Sequence, residues 1–265
     1  MPRRWAPVPF LIAGYAFLYL PIAFLIVFGF NDSRSVTAWS GFSTRWYRVL
    51  LADTALIEAA LLSFRVAALS ATLALAVGTA AGYVAARFGR FCGRTVFEVT
   101  LAAPLVLPDA IAGLSLLLVF VLLERLTGWP DGRGIGTVTL AHASVSVAYV
   151  AVVVRARLAD MDRAVEAAAA DLYAPPARVF LWVTVPLLAP ALVSGWLLAF
   201  TLSLDDVVVA SFTSGPGATT LPMAVFSAAR LGVTPEIYAL ATVIVVAAGA
   251  VLAVAGRGRS GRLAK

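Results

Sequence analysis

The stretch LAFTLSLDDVVVASFTSGPGATTLP, Leu198 to Pro222, sets two adjacent aspartates in an apolar run and follows them with Ser-Gly-Pro-Gly. An isolated carboxylate is costly in an apolar medium and is kept there with partners or for function. What surrounds Asp205 and Asp206 therefore decides the fold. Of the 265 residues, 62% are hydrophobic and 13% charged, with a mean hydropathy of +0.95. A soluble domain is about half apolar and about a quarter charged. The excess is more than a globular core absorbs, so the chain reads as an all-α integral membrane protein. Its net charge of +6 and pI near 10.0 then belong to basic loops beside membrane lipid, and no nucleic-acid partner is needed to explain them.

A membrane-spanning helix takes roughly 20 mostly apolar residues. Six segments meet that length: Pro7–Phe30, Ala59–Ala86, Val99–Leu123, Val138–Val154, Leu187–Phe212 and Ile237–Ala255. The fourth is the weakest, diluted by His142, Thr139, Ser144 and Ser146, and Arg65 in the second reads as snorkelling to an interface. With the N-terminus inside, thirteen basic residues fall on inner segments and six on outer ones, Arg65 set aside. Both termini are therefore expected in the cytoplasm. The first span reads as an uncleaved signal anchor, because its apolar stretch is too long for a signal-peptide core. In the outer loop, Trp39, Trp46 and Tyr47 read first as interfacial anchors. Neither an internal repeat nor a low-complexity linker is visible. One domain is expected over residues 1–265, with a core at 56–256 and an inner loop at 155–186.

Missing residues exclude much chemistry. Cys92 is the one cysteine, His142 the one histidine and Lys265 the one lysine. A disulfide, a thiolate cluster and a two-histidine metal site are excluded. So is a phosphate-cradling Walker A loop, which needs a lysine on the first turn of a helix. If transport here is ATP-driven, another polypeptide hydrolyses the ATP.

The inner loop reads RARLADMDRAVEAAAADLYAPPARVFLWVTVPLLAP, Arg155 to Pro190. Met161–Leu172 is alanine-rich, with Asp160 and Asp162 where a helix N-terminus favours acids, and Pro175-Pro176 stop it. Helical spacing puts Val165, Ala168, Ala169 and Leu172 on one small apolar stripe. Such a stripe suits docking into a groove on a partner, or folding back on its own membrane domain.

This loop resembles the Glu-Ala-Ala loop of binding-protein-dependent ABC importer permeases. Aligned through Asp171-Leu172 and Pro186, the motif's glycine position is Tyr173 and its glutamate falls on Ala167, with Glu166 one residue earlier. These departures imply a docking geometry of its own. Ser194–Thr242 and Ala103–Phe120 are similar to polyamine-importer permeases, above all the putrescine type. The resemblance implies a type I ABC importer permease fold of about six spans in the bacterial inner membrane. It also implies a second permease subunit, two ATPase subunits carrying ATP and Mg, and an extracytoplasmic binding protein. No cofactor is expected on this chain, which is not itself expected to be an enzyme. Glu166, Ala167, Ala168, Ala169, Asp171, Leu172, Tyr173 and Pro186 become the ATPase-coupling loop.

The aspartates then read as pathway residues. Asp109 stands 11 residues past Glu98, roughly 16 Å of helical rise, near the bilayer midplane. Asp205 and Asp206 stand 18 and 19 residues past Leu187, roughly 27 Å up and toward the outer side. A diamine offers two ammonium ends. Asp109, Asp205 and Asp206 supply carboxylates for them, with Trp46 and Tyr149 as aromatic faces. Neighbours on a regular helix diverge, so only one of Asp205 and Asp206 points into the route, and Ser203 or Thr201 is expected to partner the other. Pro104 and Pro108 either free carbonyls for a cation or shape subunit packing. Two other classes stay open. A rhomboid-like protease would pair Ser115 with His142, and a proton-coupled transporter would use Asp109 or Asp205.

Overall fold

A computed structural model describes residues 8–35, 38–232 and 234–260, with side chains as far as residue 250. Arg3, Arg4, Arg262 and Lys265, which weight the expected orientation, lie outside the described residues, and the side chains of Arg257 and Arg259 are likewise outside. In chain order the helices are α1 (Val8–Phe28), α2 (Arg45–Ala52), α3 (Thr54–Arg87), α4 (Arg94–Val106), α5 (Asp109–Thr127) and α6 (Ile135–Ala159). They continue as α7 (Arg163–Asp171), α8 (Pro176–Val179), α9 (Val185–Asp205), α10 (Val208–Thr213), α11 (Leu221–Leu231) and α12 (Pro235–Ser260). A π-helical turn, Phe180–Thr184, joins α8 to α9. Among the described residues the only extended pairing is an isolated bridge between Asn31 and Phe42.

Among the described residues five helical segments are long and apolar enough to cross a membrane: α1, α3, α5, α6 and the stretch Pro176–Asp205. The expected sixth span corresponds to α12, whose apolar part with described side chains is Pro235–Ala250. Two expected spans are not single helices. Val99–Leu123 is interrupted where Leu107 and Pro108 take extended backbone between α4 and α5. Leu187–Phe212 is interrupted at Asp206, extended at φ −71° and ψ 128°. A window of roughly 20 apolar residues reports length and polarity, and passes smoothly over a two-residue break.

The chain divides into two compact units, one formed by Glu58–Ala224 and the other by Met1–Ile57 with Val225–Lys265. In the terminal unit α12 packs on α1 and α2. Trp46, Leu50 and Ala239 form its buried cluster, and the Trp46 indole N–H donates to the Asn31 carbonyl at 2.8 Å. None of the apolar window of α1 is buried, so this helix presents hydrocarbon on every side.

The Glu58–Ala224 unit is built around α6, with 61% of its apolar window buried against 33% in α3 and 28% in Pro176–Asp205. The helix α6 remains the least apolar of the candidate spans, as expected. Of the polar residues that dilute its hydropathy, Thr139, His142 and Ser146 are buried and Ser144 is exposed. Thr137 Oγ1 donates to the Thr213 carbonyl at 2.7 Å. Small residues on α3 let α6 approach closely: a Cβ on Gly78 would stand 2.7 Å from Val150 Cβ, and one on Gly82 would stand 2.7 Å from the Ala151 carbonyl oxygen. Without a hydrophobic force between helices in lipid, such close van der Waals contact does much of the holding. Ala71, Ala74, Val150, Val154, Leu158, Leu188 and Ala199 make the core of that seam.

The candidate translocation site and the coupling loop

The two interruptions are brought together by the helices that follow them. In α5, Gly113 lies four residues after Asp109, one helical turn along the same face. A Cβ on Gly113 would come within 2.7 Å of the Phe212 ring and 3.2 Å of Val209 Cα, so α5 and α10 touch almost backbone to backbone. Val209 stands three residues after Asp206. The close approach therefore aligns the start of α5 with the start of α10. A cavity of about 390 Å³ lies beside them, lined among others by Asp109, His142, Tyr149, Ser203, Asp205 and Asp206.

The carboxylates are held differently. Asp206 caps the first turn of α10: Oδ1 accepts the Val209 N–H at 3.2 Å and Oδ2 accepts the Ala210 N–H at 2.7 Å. His142 Nε2 lies 3.0 Å from the same Oδ2, and the imidazole is 2% exposed. Asp205 is the last residue of α9, with no basic residue in that last turn. A helix C-terminus carries partial negative charge, so a carboxylate there adds to an electronegative spot rather than neutralising one. Asp109 begins α5, where an acid is favoured. Among the described residues neither Asp109 nor Asp205 forms an ion pair, and both are exposed.

The structure thus gathers four of the five expected pathway residues, Asp109, Asp205, Asp206 and Tyr149, around one cavity. Trp46 is the exception. It is 4% exposed in the terminal unit, its N–H is donated to Asn31, and the Arg45 guanidinium sits 4.9 Å above its ring. Its N–H and one ring face are already engaged within the terminal unit, which accounts for the residue without cargo. The helical divergence expected for Asp205 and Asp206 is replaced by the break between them. Thr201 bonds back to the carbonyls of Leu197 and Leu198, and the partner of Asp206 is His142. Ser115 is not bonded to His142, whose Nδ1 is 2.7 Å from Ser203 Oγ, so the protease dyad is not assembled. The turn read at Ser214–Gly217 is present, with the Ala218 N–H donated to the Gly215 carbonyl and Gly217 at φ +74°.

At the coupling loop, α7 starts after Asp162, whose side chain accepts the Ala164 N–H at 2.9 Å. Proline at the start of α8 costs no helical hydrogen bond, and Pro186 directly follows the π-helical turn, in a helical stretch that runs on from Pro176 to Asp205. The displaced glutamate does not lose its salt bridge. Glu166 Oε2 is 2.8 Å from Arg87 Nε, with both side chains largely buried, and Glu166 Oε1 accepts the Thr184 hydroxyl at 2.9 Å. Arg87 also donates to the Leu158 carbonyl at 2.9 Å. One guanidinium therefore ties the ends of α3 and α6 to α7, and through Glu166 to the π-helical turn before α9. Tyr173, in the glycine position, takes the left-handed conformation a glycine would take, at φ +58°. The geometry survives the substitution. Of the expected stripe, Val165, Ala168 and Leu172 are exposed and Ala169 is half-buried, while Tyr173 is 98% exposed.

Sequence reasoning did not find Arg87, Thr184, or the pairing of His142 with Asp206. The available signals were weak: an arginine at the inner end of a span, and a lone histidine within one.

Residues 74–258 match the family described as the binding-protein-dependent transport system inner membrane component. The chain is 56% identical over 241 residues to the putrescine transport system permease protein PotI of Escherichia coli (strain K12), covering 91% of this chain and 86% of that protein. It is 39% identical over 246 residues to the spermidine/putrescine transport system permease protein PotC of Haemophilus influenzae, covering 93% of each. In fold it resembles a chain of a bacterial ABC transporter involved in the import of the acidic polysaccharide alginate. That match has a TM-score of 0.68 at 16% identity and covers 98% of this chain and 99% of that one. The fold and the site define an inner-membrane transport subunit. The chain belongs to the family of binding-protein-dependent transport system inner membrane components, as a permease subunit of an ABC importer.

Proposed function

We propose that this chain forms part of the translocation route of an ATP-driven polyamine importer, with putrescine as its foremost cargo. The observation that carries this reading is the pair Asp109 and Asp205. Both carboxylates open onto one cavity at two helix breaks, in an otherwise apolar domain, and neither has an ion-pair partner among the described residues. A small dication meets that arrangement with one ammonium per carboxylate, and Tyr149 offers an aromatic face beside it. The printed functions of the relatives PotI and PotC, putrescine and spermidine/putrescine transport, support the same cargo.

Half of a route needs its other half. A second permease subunit completes the pathway, an extracytoplasmic binding protein delivers cargo, and two ATPase subunits carrying ATP and Mg power the cycle on the cytoplasmic side. This chain itself carries no cofactor. The ATPase contact is the α7 loop, where Ala168, Leu172 and Tyr173 form an exposed, mostly apolar surface above the buried Arg87–Glu166 pair. Uptake of labelled putrescine, spermidine and amino acids by the reconstituted complex tests the cargo. Selective uptake of amino acids would overturn it. Ala168→Arg or Ala169→Arg places a large charge in the docking surface, and is expected to abolish ATPase association in detergent while leaving membrane insertion intact. Unchanged association and uptake in both variants would remove the docking role.

A further inference from the structure

His142 is the only histidine of the chain, and its buried ring is fixed from both ends. Nδ1 lies 2.7 Å from Ser203 Oγ, and Ser203 Oγ lies 3.2 Å from Ser70 Oγ, whose hydroxyl is also 3.2 Å from the Ala67 carbonyl. Nε2 lies 3.0 Å from Asp206 Oδ2. Nε2 and the carboxylate are in close polar contact, at ion-pair distance but without the alignment of a hydrogen bond. Both protonation states of the ring suit the serine pair. With Nδ1 bare, Ser203 donates to it and Ser70 donates to Ser203. With Nδ1–H, Ser203 accepts from the ring and donates to Ser70, which donates to Ala67. The ring is therefore oriented whichever state it holds.

Asp206 is saturated by this arrangement. Oδ2 takes both the Ala210 N–H and the His142 contact, Oδ1 takes the Val209 N–H, and the carboxylate is bound to the start of α10. Its neighbour Asp205 has neither a helix N-terminus nor a ring beside it. Three carboxylates line the cavity, and of these Asp206 alone has a helix N-terminus and a ring beside it.

We propose that His142 is a positioning residue that sets the charge count of the cargo site. By holding Asp206 against α10, together with Ser203, it leaves Asp109 and Asp205 as a two-carboxylate site matched to a diamine. This rests on the polyamine reading above and adds a reason for preferring two ammonium groups over three. Releasing Asp206 adds a third carboxylate to the cavity and shifts preference toward the triamine.

The two ring nitrogens can be separated by substitution. A glutamine amide reaches the position of Nε2, and an asparagine amide reaches only that of Nδ1. His142→Gln keeps the Asp206 contact but not the one to Ser203, and is expected to move the spermidine-to-putrescine ratio no further than Ser203→Ala does. His142→Asn loses it and is expected to raise the spermidine-to-putrescine uptake ratio by about fivefold, the effect of one added partly solvated charge pair. Ser203→Ala frees only one end of the ring and should move the ratio the same way by about twofold, and it decides the matter if His142→Asn does not assemble. A packing role for His142 would lower yield in both histidine variants without moving the ratio, and that result would overturn the proposal. Asp109→Asn and Asp205→Asn run beside them. Loss of uptake in these with an unmoved ratio in His142→Asn and Ser203→Ala removes the positioning role alone. Full uptake in both removes the cargo site and the positioning role together.

Discussion

Glu166 and Asp205 are carboxylates of the same unit, each at the edge of a helix, and the fold treats them in opposite ways. Glu166 stands in the first turn of α7, where the helix dipole favours it, and its two oxygens are taken by Arg87 and Thr184. Asp205 closes α9 at the end the dipole disfavours, exposed to a cavity and with no cation beside it among the described residues. An exposed carboxylate beside a cavity in an apolar domain, with no cation of its own, is a place where a cation from outside can bind. Partnered acids hold this molecule together; the unpartnered ones are those proposed to meet cargo. Asp206 belongs with Glu166 in this respect, although it is the direct neighbour of Asp205.

The comparison breaks first at Arg87. Arg87→Met leaves Glu166 uncompensated in a largely buried place, and should lower the unfolding free energy of the purified chain in detergent by about 3 kcal/mol. The double variant Arg87→Met with Glu166→Met removes both charges, and should lose clearly less than the two single variants added together. Additive losses would mean that the pair is not coupled. Next comes the cargo side. Asp205→Asn and Asp109→Asn keep size and hydrogen bonding but remove charge, so each should cut putrescine transport efficiency about tenfold or more, on the order of 1–3 kcal/mol. Their thermal stability should be unchanged or slightly raised, the reverse of the pattern at Glu166. Asp206→Asn should sharpen the contrast by lowering stability and complex yield more than either. Equal uptake losses for Asp205→Asn and Asp206→Asn, both at parental stability, would dissolve the distinction. The smallest effect belongs to Tyr173. An exposed tyrosine at φ +58° carries left-handed strain, and Tyr173→Gly should raise thermal stability by about 0.5–1 kcal/mol. Lower ATPase association in that variant would support the place proposed for Tyr173 in the docking surface.

Several of these features are legible in the chain alone, each for a physical reason that can be named. Burying a carboxylate among Leu198–Val209 needs an explanation whatever the fold, so Asp205 and Asp206 stand out by chemistry. The coupling loop is legible because helix capping by Asp162 and the stop at Pro175-Pro176 are local rules. The span α6 is the least apolar, as expected, yet its central place in the bundle is not legible, for an equally physical reason. Hydropathy scores Thr137, His142 and Ser146 as if they faced lipid, whereas each is buried inside the bundle. The breaks at Pro108 and Asp206 escape because each occupies only one or two residues. Trp46 is misread because an aromatic in an outer loop suits an interface or a ligand equally well, until its N–H is seen to be donated to Asn31.

The sequence by itself determines the class: apolar content fixes the membrane as solvent, the lone lysine at position 265 rules out a phosphate loop, and the alanine-rich loop carries the resemblance to importer permeases. These are properties of composition and of residues within one or two turns of each other. Tertiary structure alone decides which carboxylates are free. The Gly113 contact aligns Asp109 with the start of α10, His142 reaches Ser203 across a separation of 61 residues, and Arg87 reaches Glu166 from another helix. Whether a charge is spent or available depends on what stands within about 3 Å of it, and in a helical bundle those neighbours come from distant parts of the chain.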